Sequence, residues 1–357
     1  MTKTENKRGT TMVELVWKGK QRIEPANLEI TKFPSQHLDT FESHTKQSSS
    51  NLINRSPNSI PSWHNRLILG DKNYILPALL PEFTQNVDLI YIDPPFMTGR
   101  DFKNGMQLAY SDKWNNDIDS YLQWLYETFT VLKLLLSPNG SLYVHLDWRV
   151  THYAKVILDE VFDSHSRTGE HGFINEIIWH YQSGGRSQKR YARKHDTILF
   201  YTNSAHYCFH GDRVGERRGI KKRNHMKKWI DNYGQTHWAI RSHGRLYTYS
   251  EDSYMTPSDV WSDISHLHQK DPERNGYATQ KPETLLERII LASSEENDLV
   301  LDCFCGSGVT PAVAERLNRR WIACDQSELA LTLTRERMLT FDQVRPFVIQ
   351  RLEVDAG

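Results

Sequence analysis

Residues 91–96 read YIDPPF, and the run-up NVDLI makes an apolar strand that stops at a carboxylate. In an open α/β sheet ligands sit beyond the carboxyl ends of strands, which is where Asp93 falls. Proline has a fixed φ and no N–H, so Pro94 and Pro95 hold the Asp93 carboxylate and the Pro94 carbonyl as rigid acceptors facing one spot. That spot suits a group with two N–H donors, such as an exocyclic amine, and Phe96 can stack on the planar ring that carries it. A plain strand-ending turn is the alternative, since Asp-Pro initiates turns. A second stretch, DCFCGSG at 302–308, sets a Gly-x-Gly turn between a buried strand and a helix. Its glycines let backbone approach a ligand, and the helix N-terminus offers unpaired N–H groups. Asp325 ends the next strand about twenty residues on, where a carboxylate can accept both ribose hydroxyls. A tight strand–helix turn without a ligand is the alternative here. No Lys-Ser/Thr pair follows the glycines, which argues against cleavage of a nucleotide phosphate.

The elements that must position these groups alternate. RLIL (66–69) is a short strand, and NYILPALLPEF a short helical stretch interrupted by Pro77 and Pro81. NVDLIYID (86–93) is a near-continuous apolar run, the mark of a strand covered on both faces. Leu122, Leu125, Phe129, Leu132 and Leu136 recur at helical spacing, which predicts a helix over 119–140 stopped by Pro138-Asn139-Gly140. A strand (141–147), a helix (151–162) and two strands (173–181, 196–202) follow. From 203 to 275 the chain is polar, aromatic and basic, with little periodicity. Helix 280–294, strand 298–304, helix 306–318, strand 319–325 and a last helix then resume the alternation. This is an α/β protein with a mostly parallel sheet, helices on both faces and an inserted module. Residues 1–62 read as an irregular arm, and 341–357 as a C-terminal tail.

Lys+Arg and Asp+Glu balance at 44 each, so any nucleic-acid surface must come from local clustering. There are two clusters. Residues 211–230 hold eight Lys/Arg against two acids, and 184–195 hold five Lys/Arg, no acids and Tyr191. Arg186, Lys189, Arg190, Arg193, Arg217, Arg218, Lys221, Lys222 and Arg223 are therefore candidate DNA contacts; a solvated loop is the alternative. No apolar run reaches membrane length, and no secretion signal leads the chain. Four cysteines make no disulfide framework and point to a reducing, cytoplasmic setting. Cys303, Cys305 and Cys324 read as buried thiols, no metal is expected, and Trp114 and Trp124 read as core packing.

Taken together, IDPPF and DCFCGSG resemble the motifs of S-adenosylmethionine-dependent amino-methyltransferases acting on DNA bases. The amine motif comes first and Gly306 roughly 210 residues later, the permuted order of the β class of restriction–modification enzymes. TQKPETLLERII, the GD of LILGDK, GSLYVHLD and RKHDTILFYT extend the similarity over about 63–340. The family commonly has Pro at Cys303 and Thr at Val309; neither supplies chemistry. The resemblance implies a doubly wound fold with a catalytic half (63–202), a target-recognition region (203–275) and a cofactor half of the same domain (276–340). It assigns the target amine to Asp93, Pro94, Pro95 and Phe96. It assigns S-adenosyl-L-methionine to Asp302, Phe304, Gly306, Gly308 and Asp325, with Thr279, Lys281 and Asp71 nearby. It implies base flipping in double-stranded DNA and direct in-line transfer to adenine N6, and it allows a cognate restriction endonuclease and a homodimer as further partners. The rival readings are cytosine N4 methylation, methylation of RNA or of a protein amide, and a non-catalytic DNA-binding subunit.

Overall fold

The computed structural model describes residues 2–5, 11–23, 39–41, 63–104, 107–114, 117–164, 171–182, 188–217 and 225–352. Its centre is a ten-stranded sheet. Numbered along the chain, its strands are β1 (Asp39–Phe41), β2 (Asn65–Leu69), β3 (Val87–Ile92), β4 (Leu136–Leu146), β5 (Gly172–His180), β6 (His195–Thr202), β7 (Val260–Trp261), β8 (Leu299–Asp302), β9 (Arg320–Asp325) and β10 (Phe347–Arg351). In space they run β7-β5-β6-β4-β3-β8-β9-β2-β10-β1. The stretch from β4 to β10 is parallel throughout, while β6 and β1 run against it.

Neighbouring side chains along each strand enter opposite cores, which fixes the register. On one face Ile68, Ile90, Ile92, Leu142 and Val144 pack under α1 (Lys72–Phe83), α2 (Ile118–Leu135) and α3 (Thr151–Val161). On the other, Leu67, Leu89, Tyr91, Tyr143 and Val300 pack under α4 (Glu283–Ser293), α5 (Val309–Arg316) and α6 (Glu328–Met338). Both faces are covered, which explains why the central strands read as unbroken apolar runs. The chain leaves β3 toward β4 and leaves β8 toward β9, in opposite directions. The β3/β8 seam is therefore a switch point, and the crevice beyond it is open to a ligand.

Several expectations need correction. Helix α1 runs through Pro77 and Pro81 without interruption, because buried Ile75, Leu76, Leu79, Leu80 and Phe83 hold it on the sheet. Helix α2 ends at Leu135, five residues before Gly140. Leu136 already pairs with Val87 in the sheet, and the ladder shifts before Leu89 pairs with Ser141, so Pro138-Asn139-Gly140 form an irregularity within β4. The expected C-terminal tail contributes β10, which pairs with β2. The arm is not wholly irregular either: β1 pairs with β10, and Lys20 bonds Glu14 and Glu160. The region 203–275 contains a three-stranded antiparallel sheet, Lys227–Ile230, Thr236–Ser242 and Arg245–Ser250, and then rejoins the central sheet as β7. Its strands are short and largely exposed, Lys227–Ile230 throughout, so they carry no apolar alternation that a sequence could show.

Buried Asn65 ties the two chain halves together. Its Oδ1 accepts the Trp321 N–H (2.9 Å) and the Trp63 ring N–H (2.9 Å), and its Nδ2 donates to Glu315 (2.9 Å). Asn65→Ala would leave the Trp321 N–H buried without its partner and take one hydrogen bond from Glu315, lowering the unfolding free energy by about 1–3 kcal/mol in urea melts.

Candidate active site

Four adjacent parallel strands end in the same crevice, and each delivers an aspartate. Asp93 follows β3, Asp302 ends β8, Asp325 ends β9, and Asp71 stands two residues beyond β2. They line a cavity of about 350 Å³, within the range of small-molecule sites. Pro94, Pro95, Phe96, Thr279, Lys281, Phe304 and Gly306 line it too, so residues from both sequence halves meet there.

The loop after Asp93 is locked by side chains outside the motif, of which Asp112 and Tyr121 carry no signal in the sequence. Both oxygens of buried Asp112 accept backbone N–H groups, from Met97 (2.8 Å) and Thr98 (2.7 Å). The Thr98 hydroxyl and the Trp114 ring N–H also donate to it. These bonds hold Met97 at φ 57, a conformation uncommon for a side chain of its size. The Tyr121 hydroxyl donates to the Pro95 carbonyl at 2.7 Å. Among the described residues no hydrogen bond reaches the Pro94 carbonyl. Phe96 lies parallel to the buried His145 ring at 6.3 Å, and His145 is held by the Tyr91 hydroxyl (3.0 Å) and Asp196 (3.2 Å).

Across the cavity, Asp325 accepts the Gly306 N–H (2.9 Å) on one oxygen and the Ser327 N–H (2.9 Å) on the other. Burial pushes its carboxyl up to about 6, while these N–H bonds pull the other way. Asp302 accepts the Thr310 hydroxyl (2.5 Å) and the Phe304 N–H (2.9 Å), and burial pushes it up to about 7. Gly306 (φ 47) and Gly308 (φ 75) are left-handed. A Cβ on Gly306 would come within 2.9 Å of the Tyr277 ring, and one on Gly308 within 2.8 Å of the Thr334 backbone. Their glycine character thus answers close protein packing as well as ligand approach. Gly308 caps α5 and does not line the cavity; Ser307 and Val309 do.

Trp114 and Trp124 pack against the core as expected, and they also form an aromatic wall of the cavity, with Trp124 tilted against Phe304 at 5.5 Å. Lys72 lies over the Trp124 ring at 4.5 Å, and burial pushes its ammonium down to about 8. Lys281 bonds the Asp93 carboxylate at 2.7 Å. Asp71 caps α1, accepting the Asn73 N–H. Cys303, Cys305 and Cys324 are buried thiols. Of the candidate DNA contacts, Lys189, Arg190 and Arg193 are exposed just before β6, whose start pairs with the end of β4 and so lies on the same sheet edge as Asp93. Arg193 stacks over Trp148 at 3.4 Å. Arg217 is exposed and pairs with Asp252, within the 203–275 region. Arg186, Arg218, Lys221, Lys222 and Arg223 lie outside the described residues.

An open α/β sheet with a glycine turn and an acidic strand end beside the Asp93-Pro94-Pro95 loop is the architecture of a nucleotide-binding fold. Comparison narrows the class: residues 87–336 match a family model described as DNA methylase and named for N6 and N4 methylation. The type II methyltransferase M.HpaI of Haemophilus parainfluenzae is 31% identical over 258 residues, covering 71% of this chain and 68% of that one. The DNA adenine methyltransferase YhdJ of Escherichia coli K12 is 28% identical over 243 residues, covering 68% and 72%. The solved PvuII DNA methyltransferase, titled cytosine-N4-specific, shares the fold at TM-score 0.50 and 19% identity, covering 76% of this chain and 86% of that one. The chain belongs to the N6/N4 family of DNA methylases, whose methyl donor is S-adenosyl-L-methionine. The donor set fits that cofactor: aromatic walls suit its adenine, and buried carboxylates suit its cationic and hydroxyl groups. Among the described residues no helix is long and apolar enough to cross a membrane.

The raised carboxyl of Asp302 sets a pH dependence for the free protein. A buried acid with a raised value stabilises the fold only while protonated. Wild type should therefore lose stability relative to Asp302→Asn as pH rises from the ordinary 3.8 through about 7, in urea melts across that range.

Proposed function

We propose that the protein methylates the exocyclic N6 of adenine in double-stranded DNA. The observation that carries the reading is the Asp93 carboxylate: its Oδ1 is buried and, among the described residues, without a hydrogen-bond partner, on a loop whose Pro94 carbonyl is also unclaimed. Two acceptors await two N–H donors.

The target base lies inside the duplex and must swing out to reach this loop. Phe96, backed by His145, offers it a stacking surface. The amine donates to Asp93 Oδ1 and to the Pro94 carbonyl. These bonds favour a more tetrahedral nitrogen and turn its lone pair toward the cofactor side of the cavity. Phe304, Gly306, Thr279 and Asp325 would hold S-adenosyl-L-methionine, which would supply a methyl group on a sulfonium whose sulfur keeps the electron pair when the methyl passes to the amine. The amine then sheds one proton, which the adjacent carboxylate can accept. No cysteine attacks anything; Cys303, Cys305 and Cys324 are buried, and burial pushes their thiols up. Position and local electrostatics carry the rate.

Asp at the head of the motif favours adenine over cytosine, and the name of YhdJ, an adenine methyltransferase, supports the same base. DNA contact falls to Lys189, Arg190 and Arg193 on the sheet edge and to the 203–275 region, whose small sheet exposes Trp229, Tyr233 and Tyr247 beside Lys227 and Lys228. That region is the place for reading the target sequence. The type II name of M.HpaI and the name of the probable type III restriction-modification Mod subunit HindVI of Haemophilus influenzae support a restriction–modification setting, and a cognate nuclease would be its partner there.

Incubation with unmodified genomic DNA and methyl-labelled cofactor, followed by nucleoside mass spectrometry, should give labelled N6-methyldeoxyadenosine. Labelled N4-methyldeoxycytidine would overturn the base. Asp93→Ala should retain cofactor affinity within about threefold in a binding titration while losing transfer by about a hundredfold or more.

A further inference from the structure

The two oxygens of Asp93 have different company. Oδ2 accepts a charge-assisted hydrogen bond from the Lys281 ammonium at 2.7 Å; Oδ1 is buried and has no partner among the described residues. Lys281 comes from the other half of the chain, 188 residues away. Its ammonium also stands 5.4 Å over the Phe96 ring. The segment carrying it is itself braced. Gln280 donates to the Glu273 carbonyl (2.8 Å) and accepts from the Asn275 N–H (2.9 Å). The Glu273 carboxylate accepts the Glu283 N–H at 2.9 Å. The other cations lining the cavity are engaged elsewhere: Lys72 lies over Trp124, and Lys113 pairs with Asp101.

We propose that Lys281 is a positioning residue for the amine seat and not a ligand of the cofactor. It fixes one carboxylate oxygen so that the other is presented to the incoming amine. A single-point ammonium suits this task, because it can take one oxygen and leave its twin free, whereas a guanidinium tends to take both. Asp302 and Asp325 stand in the same crevice, so the ammonium also offsets the crowding of carboxylates around the reacting nitrogen. The segment expected to bind cofactor thereby reaches across and sets the geometry of the target pocket.

This inference rests on the reading of Asp93 as the amine acceptor, and the experiment separates the two. Lys281→Met is expected to keep cofactor affinity within about threefold by titration and to lower kcat about tenfold or more, with little change in the cofactor KM. Lys281→Arg should lose kcat as well, since a guanidinium would claim Oδ1. Lys281→Ala should regain part of its rate with added ethylammonium but not with sodium chloride at equal ionic strength. Cofactor affinity falling in step with rate would overturn the proposal, as would an unchanged kcat or a fully active Lys281→Arg. If Asp93→Ala kept its kcat while Lys281→Met lost it, the amine-seat reading would fall instead.

Discussion

Everything in the site depends on the seam between β3 and β8. These strands pair in parallel, Leu89 with Val300 and Ile90 with Leu301, and their carboxyl ends therefore open side by side. Asp93 and Asp302 come from opposite ends of the chain, yet the seam makes them neighbours. A parallel sheet enforces this: its strand ends lie in one row, and whatever follows each strand shares one crevice. The row continues through β9 to β2, where the Gly70 N–H donates to the Asp325 carbonyl at 3.0 Å. Order along the sequence is irrelevant to the crevice, so the amine motif can precede the glycine turn without changing the chemistry.

The crevice concentrates acid in a partly dry space. Asp302 and Asp325 have no cation paired with them among the described residues, and burial raises their carboxyls against the pull of the N–H groups and hydroxyl that hold them. Such a site is matched to a ligand carrying positive charge and hydroxyl groups. Asp93 differs, because Lys281 reaches it. The cavity thus holds two acidic strand ends without a paired cation among the described residues, Asp302 and Asp325, and one that is charge-balanced, Asp93.

Rigidity on the amine side comes from groups with no motif of their own. Asp112 holds four donors while remaining almost wholly buried, and Tyr121 fixes the Pro95 carbonyl from α2. His145, below Phe96, is anchored at both ring nitrogens. Prolines restrict the loop's torsions, but they do not choose its direction; these bonds do.

The sequence by itself determined the class of fold, the two motifs and the residues at the strand ends. Apolar runs, glycine turns and acidic strand ends are local signals, and each is written within a few residues. It did not determine where α2 ends, because Leu136 fits helical spacing until the β3 ladder claims it. It did not reveal β10 or the small sheet of the inserted region, whose short strands depend on partners elsewhere in the chain. Asp112, Tyr121 and the two tryptophans of the cavity wall carry no spacing signal, and only tertiary packing brought them to the loop. The bond from Lys281 to Asp93 belongs to that second kind: it spans 188 residues, and only the pairing of β3 with β8 makes it a contact.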